Sequence, residues 1–224
     1  MAARRLPPED LAAVEMEAYS LTWENLALWR GERCLQQRLA GSVAAGSAIC
    51  LRGPNGCGKT TLLRTLCGLS EPETGTILWR GEPIAAARSE FHAELAYAGH
   101  RAGLKDDLTT RESLRFAAAL EGGKPDIPAL LSGLGLGQCA DLPARNLSAG
   151  QRRRAALARV IGSGKRLWVL DEPFSNLDTA GRSWLSARFS QHLEADGLLL
   201  LAAHQDTGLP AGAETVIELA APGP

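Results

Sequence analysis

The segment LRGPNGCGKTTLLRTLCGL, residues 51–69, lies between an apolar run typical of a strand and a run with helical spacing. Its residues 53–60 match the pattern GxxxxGK[ST] in full. Glycines let successive backbone N–H groups turn inward around phosphate oxygens, and the following helix adds its positive N-terminal end. The segment therefore predicts a phosphate-binding loop. An ordinary glycine-rich turn would explain the glycines but not the Lys-Thr pair.

The polar residues at the end of this loop suit a nucleotide with its metal ion. Lys59 would neutralise charge on the β- and γ-phosphates of ATP and is predicted to be catalytic, and the Thr60 hydroxyl would coordinate Mg²⁺. The residues predicted to bind the nucleotide here are Gly53, Pro54, Asn55, Gly56, Cys57, Gly58, Lys59, Thr60 and Thr61.

A second segment, LWVLDEP (residues 167–173), has the pattern of a buried strand that ends in two carboxylates. Nucleotide hydrolases with a phosphate loop use such carboxylates for the metal and for the attacking water. We predict that Asp171 belongs to the Mg²⁺ shell and that Glu172 is the general base. The alternative is a strand that ends in solvated acids.

The order of the segments predicts an α/β fold with a helical insertion. Short apolar and alternating runs before the phosphate loop suggest strands, whereas residues 105–162 contain three helical segments with no strand between them. The unbroken apolar runs LWVL and GLLLLAA suit parallel strands covered on both faces. We expect one domain over residues 1–224, with a core at about 11–100 and 163–220 and a helical lobe at about 101–162.

The composition restricts the partners. A formal net charge of -1 provides no overall field that would attract nucleic acid, so no nucleic-acid partner is expected. The five cysteines have no metal-ligand spacing and suit a reducing cytosol. No apolar stretch approaches the roughly 20 residues that span a bilayer. If the chain serves a membrane, we expect it to do so through a partner.

The segment NLSAGQRRRAALARV, residues 146–160, has two features at the start of a predicted helix. Ser148 and Gln151 satisfy the capping box S-x-x-Q. That interpretation leaves Gly150 unexplained, because a helical glycine costs about 0.5–1 kcal/mol relative to alanine. Glycine at this place lets a phosphate approach the helix N-terminus closely. Residues 147–151 resemble the LSGGQ signature of ABC ATPases, and they precede the carboxylate strand as that family requires.

Other segments resemble elements of the same family, in the family's order and over nearly the whole chain. SNLD (residues 175–178) resembles the D-loop with its Asp178, and His204 resembles the switch histidine at the γ-phosphate. Trp29 occupies the place where the family stacks an aromatic ring on adenine. The alternative for His204 is a buried or surface histidine whose hydrogen bonds are made within the fold. The alternative for Trp29 is a core or edge-strand tryptophan.

The resemblance implies a P-loop NTPase of ABC ATPase type. Its fold would be a mostly parallel sheet core with a small antiparallel β subdomain and the helical insertion lobe. The implied nucleotide-binding residues outside the phosphate loop are Trp29, Ser148, Gly150, Gln151 and Asp178, and the implied catalytic residues include Glu172 and His204.

The sequence departs from the family at one position. ABC ATPases normally have a glutamine after the strand that follows the first lobe, at the metal or the attacking water, and this chain has His100 there. Histidine can accept a hydrogen bond from a metal-bound water, so we predict a catalytic and metal-site role for His100. The alternative is a solvated loop histidine. The segment YAGHRAGLKDDLTTRESLRF (residues 97–116) also resembles the ATP-binding subunits of haem exporters in cytochrome c maturation.

This resemblance implies a homodimer with ATP at the interface, attached to a membrane permease and to haem-handling membrane subunits. It places the chain at the cytoplasmic face of the bacterial inner membrane. No haem site of its own is expected, because the sequence has no Cys-Pro or CxxCH motif. The alternatives are an ABC ATPase of another small-molecule exporter, a soluble ABC ATPase in cofactor assembly, and a regulatory module that turns ATP over poorly.

Overall fold

A computed structural model describes residues 20–99, 102–204 and 206–221 of the chain. In chain order the elements are β1 (Ser20–Arg30), β2 (Arg33–Ala44), β3 (Ala48–Arg52), α1 (Lys59–Leu66), β4 (Thr74–Trp79), β5 (Glu82–Pro83), α2 (Arg88–Glu94), β6 (Leu95–Ala98), α3 (Thr110–Glu121), α4 (Ile127–Gly133), α5 (Ala149–Ile161), β7 (Leu167–Asp171), α6 (Thr179–Glu194), β8 (Leu198–Ala202) and β9 (Glu214–Glu218). Short 3₁₀ turns at Gly137–Cys139 and Ala144–Asn146 lie between α4 and α5.

The larger sheet is parallel and carries the core of the fold. Its strand order is β6-β7-β8-β3-β9, and every neighbouring pair is parallel. β7 and β8 are buried along their whole length. Helices cover both faces of the sheet, so these strands do not alternate between apolar and polar residues. The predicted parallel core is confirmed. This order places the carboxyl ends of β3, β7 and β8 side by side.

A smaller antiparallel sheet has the order β2-β1-β4-β5, which confirms the predicted β subdomain. β4 and β5 are joined by Arg80 and Gly81, which have φ of 53° and 81°. Positive φ at both central residues is the type I′ turn, whose twist matches that of the flanking strands. Trp23 and Trp79 of this sheet share one buried cluster with Leu62 of α1, so the sheet packs near the helix that follows the phosphate loop.

The segment between β6 and β7 is helical. α3 and α4 pack on α5, and their leucines share a buried cluster with Leu157 and Ala158. α5 also packs on β6 and β7, so this helix joins the helical segment to the parallel sheet. The proposed lobe boundaries at about residues 101 and 162 stay a prediction.

A half-buried histidine joins α6 to the strand that ends in Asp171. The His192 ring stacks on Trp168 of β7 with ring centroids 3.7 Å apart and planes at 8°. Its Nε2 lies 3.2 Å from the backbone oxygen of Leu198. Burial lowers the pKa of His192 from 6.5 to about 4, so the folded protein holds this ring neutral at pH 7.

This histidine predicts a loss of stability in mild acid. The unfolded chain binds a proton at His192 below about pH 6.5 and the folded chain only near pH 4. The free energy of unfolding should therefore fall as the pH drops from about 6.5 to 4, by up to roughly 3 kcal/mol. Urea titrations across this pH range compare wild type with His192→Phe, which keeps an aromatic ring on Trp168. The difference in their pH dependence is the contribution of His192 to the free energy of unfolding. Equal pH dependence in the two proteins would contradict the assignment.

Candidate nucleotide-binding site

The phosphate loop connects β3 to α1 in a conformation that only glycine adopts easily. Gly53, Gly56 and Gly58 have φ of 140°, 81° and 108°. A Cβ at Gly53 would collide with the carbonyl oxygen of Leu219, which follows β9. The tip of the loop at residues 54–56 is exposed to solvent, and α1 begins directly after it. The loop therefore presents its backbone and a helix N-terminus to an incoming anion.

Lys59 is the charged group of this loop. Its side chain is 6% exposed, and its Nζ donates to the carbonyl oxygens of Gly53, at 2.7 Å, and Pro54, at 3.1 Å. No carboxylate in the described part of the chain lies within ion-pair distance of this ammonium. A buried cation bonded only to neutral carbonyls is weakly compensated. Its surroundings suit the phosphates of a nucleotide.

Thr60 and Asp171 form the candidate metal site. The Thr60 hydroxyl donates to Asp171 Oδ2 at 2.7 Å, and the Asp171 residue is 7% exposed at the end of β7. No group of three or more His, Cys, Asp or Glu in residues 20–99, 102–204 and 206–221 could hold a metal by itself. Mg²⁺ typically takes one or two protein oxygens and completes its shell with phosphates and water. The two oxygens present fit that role.

Glu172 and His204 lie together at the ends of neighbouring strands. Glu172 Oε1 is 3.6 Å from His204 Nε2, and Glu172 Oε2 accepts from the Ser175 hydroxyl at 3.2 Å. The two side chains are 38% and 45% exposed, so water reaches them. Glu172 has φ of 49°, and its N–H donates to the carbonyl of Ala202 at the end of β8. The arrangement can hold a carboxylate base beside a second polar group.

The signature residues form the start of α5. The predicted capping box is present: Gln151 N–H donates to Ser148 Oγ at 3.2 Å, and Ser148 N–H donates to Gln151 Oε1 at 2.8 Å. A Cβ at Gly150 would lie 3.4 Å from Cβ of Asn176, so a larger side chain would press on the D-loop. Among the described residues, no hydrogen bond or ion pair joins this helix start to residues 53–61. One chain thus leaves the two predicted nucleotide-binding segments unconnected.

Three other predicted residues remain predictions. Asp178 caps α6, because its Oδ1 accepts from Gly181 N–H at 2.8 Å. Trp29 is 42% exposed on β1, opposite Cys34 of β2, so it is not a core tryptophan. His100 lies outside the described residues.

Two further side chains stabilise the site, and neither belongs to a recognisable sequence motif. Gln36 of β2 donates to the carbonyl of Cys57, at 2.9 Å, and to that of Ala220, at 2.7 Å. It ties the phosphate loop to the antiparallel sheet and to the segment after β9. Arg153 of α5 donates to the carbonyl of Asp171 at 2.7 Å. The run of three arginines from 152 to 154 was the only signal available for it, and such a run usually indicates a solvated helix face.

The described residues contain two capping boxes, and comparing them tests whether Ser148 contacts nucleotide in addition to capping its helix. Thr109 caps α3 with Glu112 in the same way that Ser148 caps α5. Thr109→Ala and Ser148→Ala should each lower the free energy of unfolding by about 1 kcal/mol. Only Ser148→Ala should also lower ATPase activity, by at least about tenfold, because only its hydroxyl is predicted to reach a phosphate. Equal ATPase activity in the two variants would contradict this role.

The comparisons with known proteins agree with this geometry. A family model described as ABC transporter matches residues 36–175. The cytochrome c biogenesis ATP-binding export protein CcmA of Aromatoleum aromaticum is 49% identical over 186 residues, covering 81% of this chain and 87% of the relative. CcmA of Nitrosococcus oceani is 45% identical over 181 residues, covering 81% and 84%.

A solved structure described as an ATP-binding subunit of an ABC transporter aligns with a TM-score of 0.71 and 25% identity, over 82% of this chain and 79% of that one. No helix in the described ranges is long and apolar enough to cross a membrane. The family model covers more than half of the chain, and the relatives match most of it at well above 30% identity. The chain therefore belongs to the ABC transporter family, within the CcmA group of cytochrome c biogenesis ATP-binding export proteins.

Proposed function

We propose that the chain is the ATP-hydrolysing subunit of a membrane export complex that serves c-type cytochrome biogenesis, where it drives haem export or the release of a haem-loaded chaperone. The observation that carries the proposal is the meeting of three strand ends, which places Thr60 on Asp171 and Glu172 beside His204. The similarity to CcmA proteins supports the biological setting. It does not favour a soluble ATPase of cofactor assembly.

ATP would bind with its phosphates over residues 53–60. Lys59 Nζ would exchange its two carbonyl partners for β- and γ-phosphate oxygens, which gain more from a cation than neutral carbonyls do. Thr60 and Asp171 would hold Mg²⁺, which neutralises phosphate charge when bound. Their hydrogen bond has already brought the two oxygens together.

Hydrolysis would use the exposed carboxylate of Glu172. Glu172 would accept a proton from water as the water oxygen attacks the γ-phosphorus and the bond to the β-phosphate oxygen breaks, which yields ADP and phosphate. Ser175 holds the second carboxylate oxygen, and the first faces His204 Nε2 at 3.6 Å, on the side where the water would lie. His204 would contact the γ-phosphate from the end of β8.

Two copies would complete each site. At the start of α5, Ser148 is exposed, and no hydrogen bond or ion pair among the described residues joins it to residues 53–61. The positive N-terminal end of the helix suits a γ-phosphate. In a head-to-tail homodimer, this helix start would close over ATP held by the other copy. Release of the γ-phosphate would remove that contact and open the dimer.

The motion would act on membrane subunits. The similarity to ATP-binding export proteins supports a permease and haem-handling subunits in the membrane, with this chain at the cytoplasmic face of the inner membrane.

The test is haem staining of c-type cytochromes in a strain that lacks the gene, restored with wild type, Lys59→Ala or Glu172→Gln. Loss of covalent haem that only wild type reverses is the expected result. Immunoblots confirm equal amounts of each variant, and Lys124→Ala, an exposed lysine, is the matched control. Normal cytochromes in the deletion strain would overturn the haem assignment.

A further inference from the structure

Arg153 joins the signature helix to the backbone that carries the catalytic carboxylate. It lies about one turn into α5, two residues after Gln151, and its side chain is 19% exposed. Its Nη2 donates to the carbonyl of Asp171 at 2.7 Å and to that of Glu172 at 3.3 Å. The same nitrogen is 4.0 Å from Glu172 Oε2. One guanidinium therefore contacts both the backbone and the side chain of the predicted base.

The turn after Asp171 needs this contact because the sheet ends at that point on the β6 side. β6 pairs with β7 up to Ala98 and Leu170, so no β6 residue is paired with Asp171. Glu172 then adopts φ of 49°, which is uncommon for a residue other than glycine and persists only where its surroundings hold it. On the other side, Ala202 of β8 accepts from Glu172 N–H. The guanidinium of Arg153 supplies the hydrogen-bond donor that a neighbouring strand would otherwise provide.

We propose that Arg153 is a positioning residue that couples one nucleotide site to the other. The inference rests on the proposed homodimer. There, the start of α5 faces ATP in the partner copy, while Arg153, about one turn further along the same helix, holds Glu172 of its own copy. A shift of α5 when the signature engages ATP would move the general base of the opposite site. Each site then becomes competent only when the other is filled.

The test uses the full chain with three substitutions. Arg153→Met keeps the length and apolar stem but removes the donors, Arg153→Lys restores a cationic donor, and Arg152→Met is the control. Arg152 lies on the same helix turn and is bonded to Asp106 at 2.6 Å on the surface. ATPase rates are measured against ATP concentration for kcat, KM and the Hill coefficient. ATP-driven dimerisation is measured by light scattering, with each change combined with Glu172→Gln.

Arg153→Met should lower kcat by at least about tenfold and reduce the Hill coefficient to 1, while KM for ATP and ATP-driven dimerisation stay within about threefold. Arg153→Lys should recover part of both losses, and Arg152→Met should behave as wild type. A lower melting temperature with unchanged kcat and Hill coefficient would overturn the inference and leave Arg153 a structural bond. Absence of dimerisation in Glu172→Gln with Arg153 intact would instead refute the proposed homodimer, and the inference with it.

Discussion

Lys59→Ala is expected to weaken ATP binding by about 10²- to 10³-fold and to reduce ATPase activity to background. The native ammonium is buried, and its partners in the described chain are two carbonyls. Removing it would leave the phosphates of ATP without this cation, and a 10²- to 10³-fold weaker affinity corresponds to roughly 3–4 kcal/mol. Isothermal titration with MgATP or a fluorescent ATP analogue measures the change in affinity.

The control for this prediction is Lys124→Ala, which removes an exposed lysine and should leave nucleotide affinity unchanged. Circular dichroism should show that both variants are folded, because the bonds from Lys59 to the loop carbonyls are not part of the sheet or of α1. An affinity of Lys59→Ala within about threefold of wild type would show that the loop is not the phosphate site.

Glu172→Gln is expected to lower kcat by about 10²- to 10⁴-fold while ATP affinity is retained. Glutamine has nearly the same shape and can still accept from the Ser175 hydroxyl, so the turn at the end of β7 should persist. It cannot take a proton from the attacking water. ATP should therefore stay intact and hold the proposed dimer closed, which gel filtration with ATP and Mg²⁺ would detect.

A matched change of an exposed acid, Glu71→Gln, separates the loss of a base from the loss of one negative charge. It should leave kcat unchanged. If Glu172→Gln kept turnover within about threefold of wild type, another group would have to be the base, and His204, 3.6 Å away, would be the first to test.

The motifs of the candidate site could be recognised in the sequence because each of them is local. The phosphate loop is a continuous segment whose glycines have positive φ, and the acids Asp171 and Glu172 follow a strand that the sequence marks by an unbroken apolar run. The contact between Thr60 and Asp171, 111 positions apart, followed from a known association of two motifs. Spacing along the chain alone could not have given it.

The supporting side chains could not be predicted in this way. Gln36 looks like one of several polar residues on β2, and its two carbonyl partners become visible only when the antiparallel sheet packs beside the loop. Capping explains Asp178 and Ser148 locally, whether or not they touch nucleotide. The sequence cannot separate these roles because the same oxygen serves both.

The sequence by itself determined the α/β class, the phosphate loop and the order of motifs, since periodicity and short-range turn chemistry are properties of neighbouring residues. Only the tertiary structure decided that β7 and β8 are adjacent, which brings Glu172 to His204, and that α5 lies against β7, which gives Arg153 its carbonyl partners. Strand order and helix packing result from long-range burial of apolar surface. Burial is non-directional and carries no fixed spacing along the chain.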